Sequence, residues 1–206
     1  PCLRRIATER LNIPILIVHR LDAGTSGLVL FAKHTAAHRE LCRQFARHQV
    51  EKTYLALVQG EVSEAHFTID RAIAANPQRP GVMKIARDGK PSVTTIRVLE
   101  RFRGVTLVEA KPQTGRQHQI RVHLQAIGHP LLVDPIYGRA EAFFLSAVKK
   151  DFHLKRGETE QPLIRRLTLH ASSLRFHHPE RQELMALTAP EAKDFNVAVR
   201  NLRKYA

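Results

Sequence analysis

Two apolar runs, Ile15 to Val18 and Leu28 to Phe31, lie near the start of the chain and read as buried strands. Between them sits the polar stretch His19-Arg20-Leu21-Asp22-Ala23-Gly24-Thr25-Ser26-Gly27, so one carboxylate, Asp22, falls at a strand end before a run of turn formers. Thr35 to His48 carries Ala37, Leu41, Phe45 and Ala46 at helical spacing and predicts an amphipathic helix. Lys52 to Gly60 and the alternating segment His66 to Ile73 predict strands. Ala75 to Pro80, with two prolines and an Asn, predicts a loop. Met83 to Ala86 and Ser92 to Glu100 flank Arg87-Asp88-Gly89-Lys90, and Asp-Gly between strand-like runs predicts a hairpin. Val105 to Ala110, after the Arg103-Gly104 turn, extends it into a meander. A helix is predicted from Thr114 to about Ile127, buried along Ile120, Leu124 and Ile127, with Gly128 as its C-terminal cap and Pro130 as a stop. Lys149 to Gln161 is charged and predicts an exposed loop. Ala171 to His177 and Gln182 to Leu187 predict a second hairpin around His178-Pro179-Glu180-Arg181. The last helix is expected near Pro190, with Thr188 and Glu191 spaced as a capping box and Phe195, Val199 and Leu202 facing inward.

Strands outnumber helices and their connections are mostly hairpins. The pattern therefore predicts an α+β fold with a largely antiparallel sheet and helices packed on it. At 206 residues the chain can bury a substantial core in one domain or two closely joined lobes. Its longest apolar runs are far too short to cross a bilayer, and Pro1 to Arg10 is too charged for a signal peptide. Two cysteines, Cys2 and Cys42, make no disulfide framework and suit a reducing cytoplasm. No repeat or low-complexity tract is visible.

Charge changes the picture more than length does. Lys plus Arg number 33 against 19 for Asp plus Glu, a net charge of +14 spread along the chain. Such a balance attracts a polyanion and predicts binding that weakens steeply with salt. Composition does not separate RNA from DNA. No helix is basic on one face and richly apolar on the other, which argues against a membrane-surface role.

Taken alone, Asp22 before Gly24 and Gly27 reads as a β-turn; a loop carried on a rigid sheet is also where chemistry is commonly placed. Its context is more specific. His19 to Gly27 resembles the HRLDxxTSG signature of the RluA-type RNA pseudouridine synthases at every fixed position. Glu51-Lys52-Thr53-Tyr54-Leu55-Ala56-Leu57-Val58-Gln59-Gly60 resembles that family's K-x-Y strand. Thr114-Gly115-Arg116-Gln117-His118-Gln119-Ile120-Arg121-Val122-His123-Leu124, followed by Gly128-His129-Pro130, resembles its TGRxHQIRVH block.

The resemblance implies a mixed, mainly antiparallel central sheet flanked by helices, with an RNA-binding cleft across it. It implies isomerisation of uridine to pseudouridine in large-subunit ribosomal RNA or transfer RNA, on a nucleotide flipped from its stack, by a cytoplasmic monomer without metal or cofactor. Asp22 would be the essential carboxylate, acting by attack on ribose or base or by taking a ribose proton. Arg121 would pair with it, and Tyr54 would stack on the base. Arg20 would share the strand face of Asp22 and fill the space left by the flipped base, although a phosphate contact or a surface charge fits it equally. Thr25, Arg116, His118, Gln119 and Ile120 are the further candidate RNA-binding residues. His118 and His123, five apart with no acidic or cysteine cluster beside them, do not make a metal site. The alternative in another class is an RNA-binding module of the same fold that has lost catalysis.

Two departures from the family pattern stand out. An Asn-Lys-Pro strand usually precedes the aspartate motif, and only 18 residues precede His19, so residues 1–206 read as a catalytic domain lacking an N-terminal segment, with or without an S4-type domain. Val133 stands where the family commonly has Gly before Asp134. Selectivity for a particular RNA is expected in Ala75 to Pro80 and in Lys149 to Gln161.

Overall fold

The computed structural model describes residues 3–206, so the cysteine reading keeps only Cys42, a free thiol; Cys2 lies outside the described residues. The central strands are β4 (Glu51–Gln59), β5 (His66–Asp70), β8 (Val93–Phe102), β9 (Val105–Pro112), β10 (Leu169–His177) and β11 (Leu184–Thr188). They lie in the order β11-β10-β4-β9-β8-β5, every neighbour antiparallel. The two-residue β2 (Ser26–Gly27) joins β10 in parallel, so the sheet is mixed and mainly antiparallel, as the family resemblance implies.

Alternation along the strands separates two cores. Ala56, Val58, Val108, Ala110 and Ile96 face Ile120 and Leu124 of α3 (Gln119–Ala126). Leu57, Leu107 and Val105 face the opposite way, onto Phe195, Ala198, Val199 and Leu202 of α4 (Lys193–Tyr205). A third cluster joins α2 (Thr35–Ala46) to Leu174 and Phe176 of β10 and to the short pair β1 (Leu16–Ile17) and β3 (Phe31–Ala32). Val133 is wholly buried in the α4 cluster, so its methyls pack where a glycine would leave space.

Four expectations need correction. The runs Ile15 to Val18 and Leu28 to Phe31 contribute only to a two-residue pairing, Leu16 with Ala32 and Ile17 with Phe31, because their apolar side chains pack on α2 rather than extending a ladder. The helix expected from Thr114 begins at Gln119: His118 has φ 54°, a left-handed conformation that stops helical propagation backwards. The strand β7 (Met83–Ile85) pairs with β6 (Ile73–Ala75), not with β8. Ile73 is buried and exchanges backbone bonds with Lys90 at 3.0 and 2.8 Å, which folds the Asp-Gly turn back onto β6. Finally, α4 begins at Lys193 with Ala192 as its N-cap and no capping side chain, so Thr188 and Glu191 form no capping box; Asp194 supplies the negative charge in its first turn.

Candidate functional site

The turn that carries Asp22 is pinned to the sheet. Thr25 donates its N–H to the Asp22 carbonyl at 2.9 Å, and Gly24 has φ 86° at the third turn position, where a side chain would be strained. Gly27 then lies so close to β10 that an added Cβ would sit 2.1 Å from the Ala171 carbonyl oxygen. Leu28 donates to that same oxygen at 2.9 Å. The β-turn reading of the motif is therefore correct, but the turn uses the Asp22 backbone and leaves the carboxylate free. Neither Arg20 nor Asp22 lies in a strand, which corrects the expected shared strand face. They meet instead at the wall of one cavity.

That carboxylate accepts a hydrogen bond from Arg121 Nη1 at 3.2 Å. The same guanidinium uses its other edge on Asp134, Nε to Oδ2 at 2.7 Å and Nη2 to Oδ1 at 2.9 Å. The Arg121 side chain is 4% exposed, Asp134 0% and Asp22 20%. One buried arginine thus bridges a fully enclosed carboxylate and one that still meets solvent. Burial disfavours the charge on Asp134, and the bonds from Arg121, Tyr137 and Ile136 outweigh it, holding its carboxyl below the ordinary carboxylate range. Asp134 Oδ1 also accepts the backbone N–H groups of Ile136 and Tyr137. The Tyr137 ring lies under the guanidinium, 4.9 Å from Arg121 Cζ.

A cavity of about 450 Å³ opens beside Asp22, large enough for a nucleoside, and all nine candidate residues border it. Tyr54 reaches it from β4, where it pairs with Ala110 and Ala171. Burial, then the nearby Asp22 charge, push its phenol up to about 12. Thr25 lines the cavity with a buried hydroxyl that has no hydrogen-bond partner among the described residues. Arg116 turns its Nε to the Pro91 carbonyl at 3.2 Å. The amide of Gln119 is fully engaged: it accepts from Thr114 Oγ1 and Arg116 N, and donates to Val93 O and Thr94 Oγ1. Gln119 and the buried Ile120 therefore shape the cavity wall rather than offering free polar groups to it.

Three further residues escaped the sequence reading. Asp134 is the most consequential, and its signal was a carboxylate directly after the apolar run Leu131 to Val133, a charge that needs a buried partner. Lys52 borders the cavity and donates to the Thr114 carbonyl at 3.0 Å; burial lowers its ammonium to about 8. His19 accepts from Leu30 N at 2.9 Å and stacks on Phe45 at 4.7 Å; burial and then the Lys52 charge lower it to about 4. His123, by contrast, is a satisfied core histidine, bonded to Thr94 Oγ1 and Arg71 O. Among the described residues no helix is long and apolar enough to cross a membrane.

Comparison with known proteins places this geometry. The family model for RNA pseudouridylate synthases matches residues 4–126. The chain is 40% identical over 188 residues to the uncharacterized RNA pseudouridine synthase YlyB of Bacillus subtilis, a match covering 91% of this chain and 56% of that protein. It is 43% identical over 177 residues to the ribosomal large subunit pseudouridine synthase C of Haemophilus ducreyi, covering 84% and 51%. The chain thus spans about half the length of these curated relatives. A human RNA pseudouridylate synthase domain-containing protein (number 1) superposes with a TM-score of 0.73 at 30% identity, over 98% of this chain and 84% of that one. A second human protein of that description (number 4) shares the fold, with a TM-score of 0.72 at 23% identity over 98% and 82%. Motifs, fold and family match agree, and the chain belongs to the RluA-type RNA pseudouridylate synthases.

Proposed function

We propose that this chain converts specific uridines in RNA to pseudouridine, with Asp22 as its essential catalytic residue. The observation that carries the reading is a carboxylate held by a buried arginine at the mouth of a nucleoside-sized cavity whose wall includes Tyr54. The reaction breaks the N1–C1′ bond with its electron pair going to the uracil. The ring turns, a C5–C1′ bond forms, the C5 proton leaves and N1 gains one. Asp22 serves by attack on the nucleotide or by taking a ribose proton; both routes need a fixed carboxylate beside C1′. Arg121 fixes it, through a guanidinium that Asp134 and Tyr137 hold from behind. Tyr54 offers the flipped base a flat apolar face. The chemistry is an isomerisation with no net oxidation, so it asks for no redox cofactor.

Ribosomal RNA is the favoured substrate over transfer RNA, because several relatives are named for the ribosomal large subunit. The reading places a monomer in the cytoplasm, on RNA drawn by the +14 charge. A binding module without catalysis is less favoured, since Asp22, Tyr54 and Arg121 converge on one cavity. Mapping pseudouridine across total RNA of a deletion strain tests the function. One or a few positions should disappear and return with the intact gene; an unchanged map contradicts it.

Lys52 adds a pH dependence. Burial disfavours its charged form, so the ammonium persists below about 8 and is lost above it. RNA affinity at fixed salt should therefore fall as pH rises through about 8, and Lys52→Gln should flatten that step. A step of the same size in the variant, measured by filter binding, would assign it elsewhere.

A further inference from the structure

We propose that His118 is a hydrogen-bond donor to the target uracil, its neutral imidazole holding a carbonyl oxygen through Nε2–H as negative charge spreads over the detached ring. The proposal rests on the isomerase reading above and names the group that handles the leaving base.

The tautomer follows from the bonds around Tyr137. The backbone N–H of Met83 donates to the Tyr137 hydroxyl oxygen at 2.7 Å. The phenol still has its own proton to place, and His118 Nδ1 lies 2.8 Å away, the one acceptor within reach among the described residues. Nδ1 is then the lone-pair nitrogen, and the ring proton sits on Nε2. Burial lowers the imidazole from its ordinary value, and the Asp22 charge that opposes this is partly countered by Arg121, so the ring is neutral at neutral pH. A neutral imidazole with its basic nitrogen occupied is a donor; it has no lone pair with which to take a proton from the nucleotide.

Its placement fits that role. His118 borders both the nucleoside-sized cavity and the larger cavity of about 990 Å³ beyond Asp22 and Arg121. It holds φ 54° and ψ 20° without acting as a side-chain cap for α3, a conformation that Asn or Gly would adopt more readily. The ring also meets Tyr137 edge-on at a centroid distance of 5.5 Å, which restricts its rotation. An uncommon backbone conformation and a pinned ring at the cavity wall leave Nε2–H, which has no hydrogen-bond partner among the described residues, as the ring's remaining donor.

Uracil geometry explains why one donor serves the whole reaction. When N1–C1′ breaks, the electron pair spreads onto O2 and O4. O2 stands next to N1, so a donor beside the Asp22 carboxylate reaches O2 first. Turning the ring about its N3–C6 axis exchanges N1 with C5 and, with them, O2 with O4. His118 therefore holds O2 before the turn and O4 after it, and keeps its proton throughout.

His118→Asn separates this role from a structural one. Asparagine tolerates the left-handed backbone and can place an amide atom where Nδ1 bonds Tyr137, but it has nothing at the position of Nε2. Single-turnover rates are measured on RNA carrying uridine, 2-thiouridine or 4-thiouridine at the target. With uridine, at saturating protein, the variant should be slower by about 10²-fold or more, the usual loss of one preorganised donor. Each thio substitution should slow the wild type and have little further effect in the variant. Equal fractional slowing in both proteins, or a variant as fast as wild type, overturns the proposal. If the Asn variant melts early, His118→Gly carries the same comparison with the same two outcomes. Wild-type protein inert on every uridine RNA would sink the isomerase reading and this proposal together; active wild type with no thio coupling sinks only this one.

Discussion

Arg121→Met should unfold this protein more readily than any surface change, lowering stability by roughly 3–5 kcal/mol, the cost of removing one partner from a buried ion pair. The midpoint of thermal unfolding should fall by on the order of 10 °C for a chain of this size. The reason is Asp134. Its side chain has no exposed surface, and its two strong charge-assisted bonds come from Arg121. Without the guanidinium, a buried carboxylate must remain charged without a cation or take up a proton. The loss should therefore shrink at low pH. A carboxyl held low by folding contributes stability above its unfolded value and loses it as pH falls through the folded one, so the difference between Met variant and wild type narrows on acidification. Arg121→Met with Asp134→Asn should recover much of the stability, because the amide keeps an oxygen for the Ile136 and Tyr137 N–H groups and leaves no charge behind. It should not recover activity, since Asp22 still lacks its partner. Equal melting of the single and double variants would show that Asp134 does not depend on Arg121.

That pair also marks where sequence reading reaches its limit. The long strands were legible because β4 and β9 alternate between two cores, so Ala56 and Val58 report one face and Leu57 the other. The motifs of the candidate site were legible because each keeps its residues within a short stretch. Partnerships made by the fold were not. Asp134 lies 13 residues from Arg121, and no periodicity links a residue after the Gly128-His129-Pro130 turn to one inside α3. The stripe of Ile120, Leu124 and Ile127 is genuine, but apolar spacing does not reveal that His118 leaves the helical region and that Gln119 bonds the preceding loop instead. The Asp-Gly turn was visible and its strand partner was not, because Ile73, rather than the next strand, satisfies Lys90. Local chemistry writes itself into neighbouring residues; pairing across the chain does so only weakly.

Asp22→Asn is the change with the largest expected effect on activity. It should leave the fold nearly intact. The side chain keeps an oxygen for Arg121, it is partly exposed, and the turn around it is held by backbone bonds and by Gly24 and Gly27. RNA binding should persist, because Tyr54, Lys52 and the basic residues are untouched. What the amide lacks is the charge and basicity that both candidate routes require, so isomerisation should fall by on the order of 10⁴-fold or more, the scale seen when a group central to the chemistry is removed. The decisive measurement is tritium release from ribosomal RNA labelled at uridine C5, with wild type and Asp22→Asn compared at equal fractional RNA binding. Wild type should release tritium in proportion to the pseudouridine formed, and the variant should release none above background. Release at the same rate from both proteins would contradict the assignment of Asp22 as the essential carboxylate.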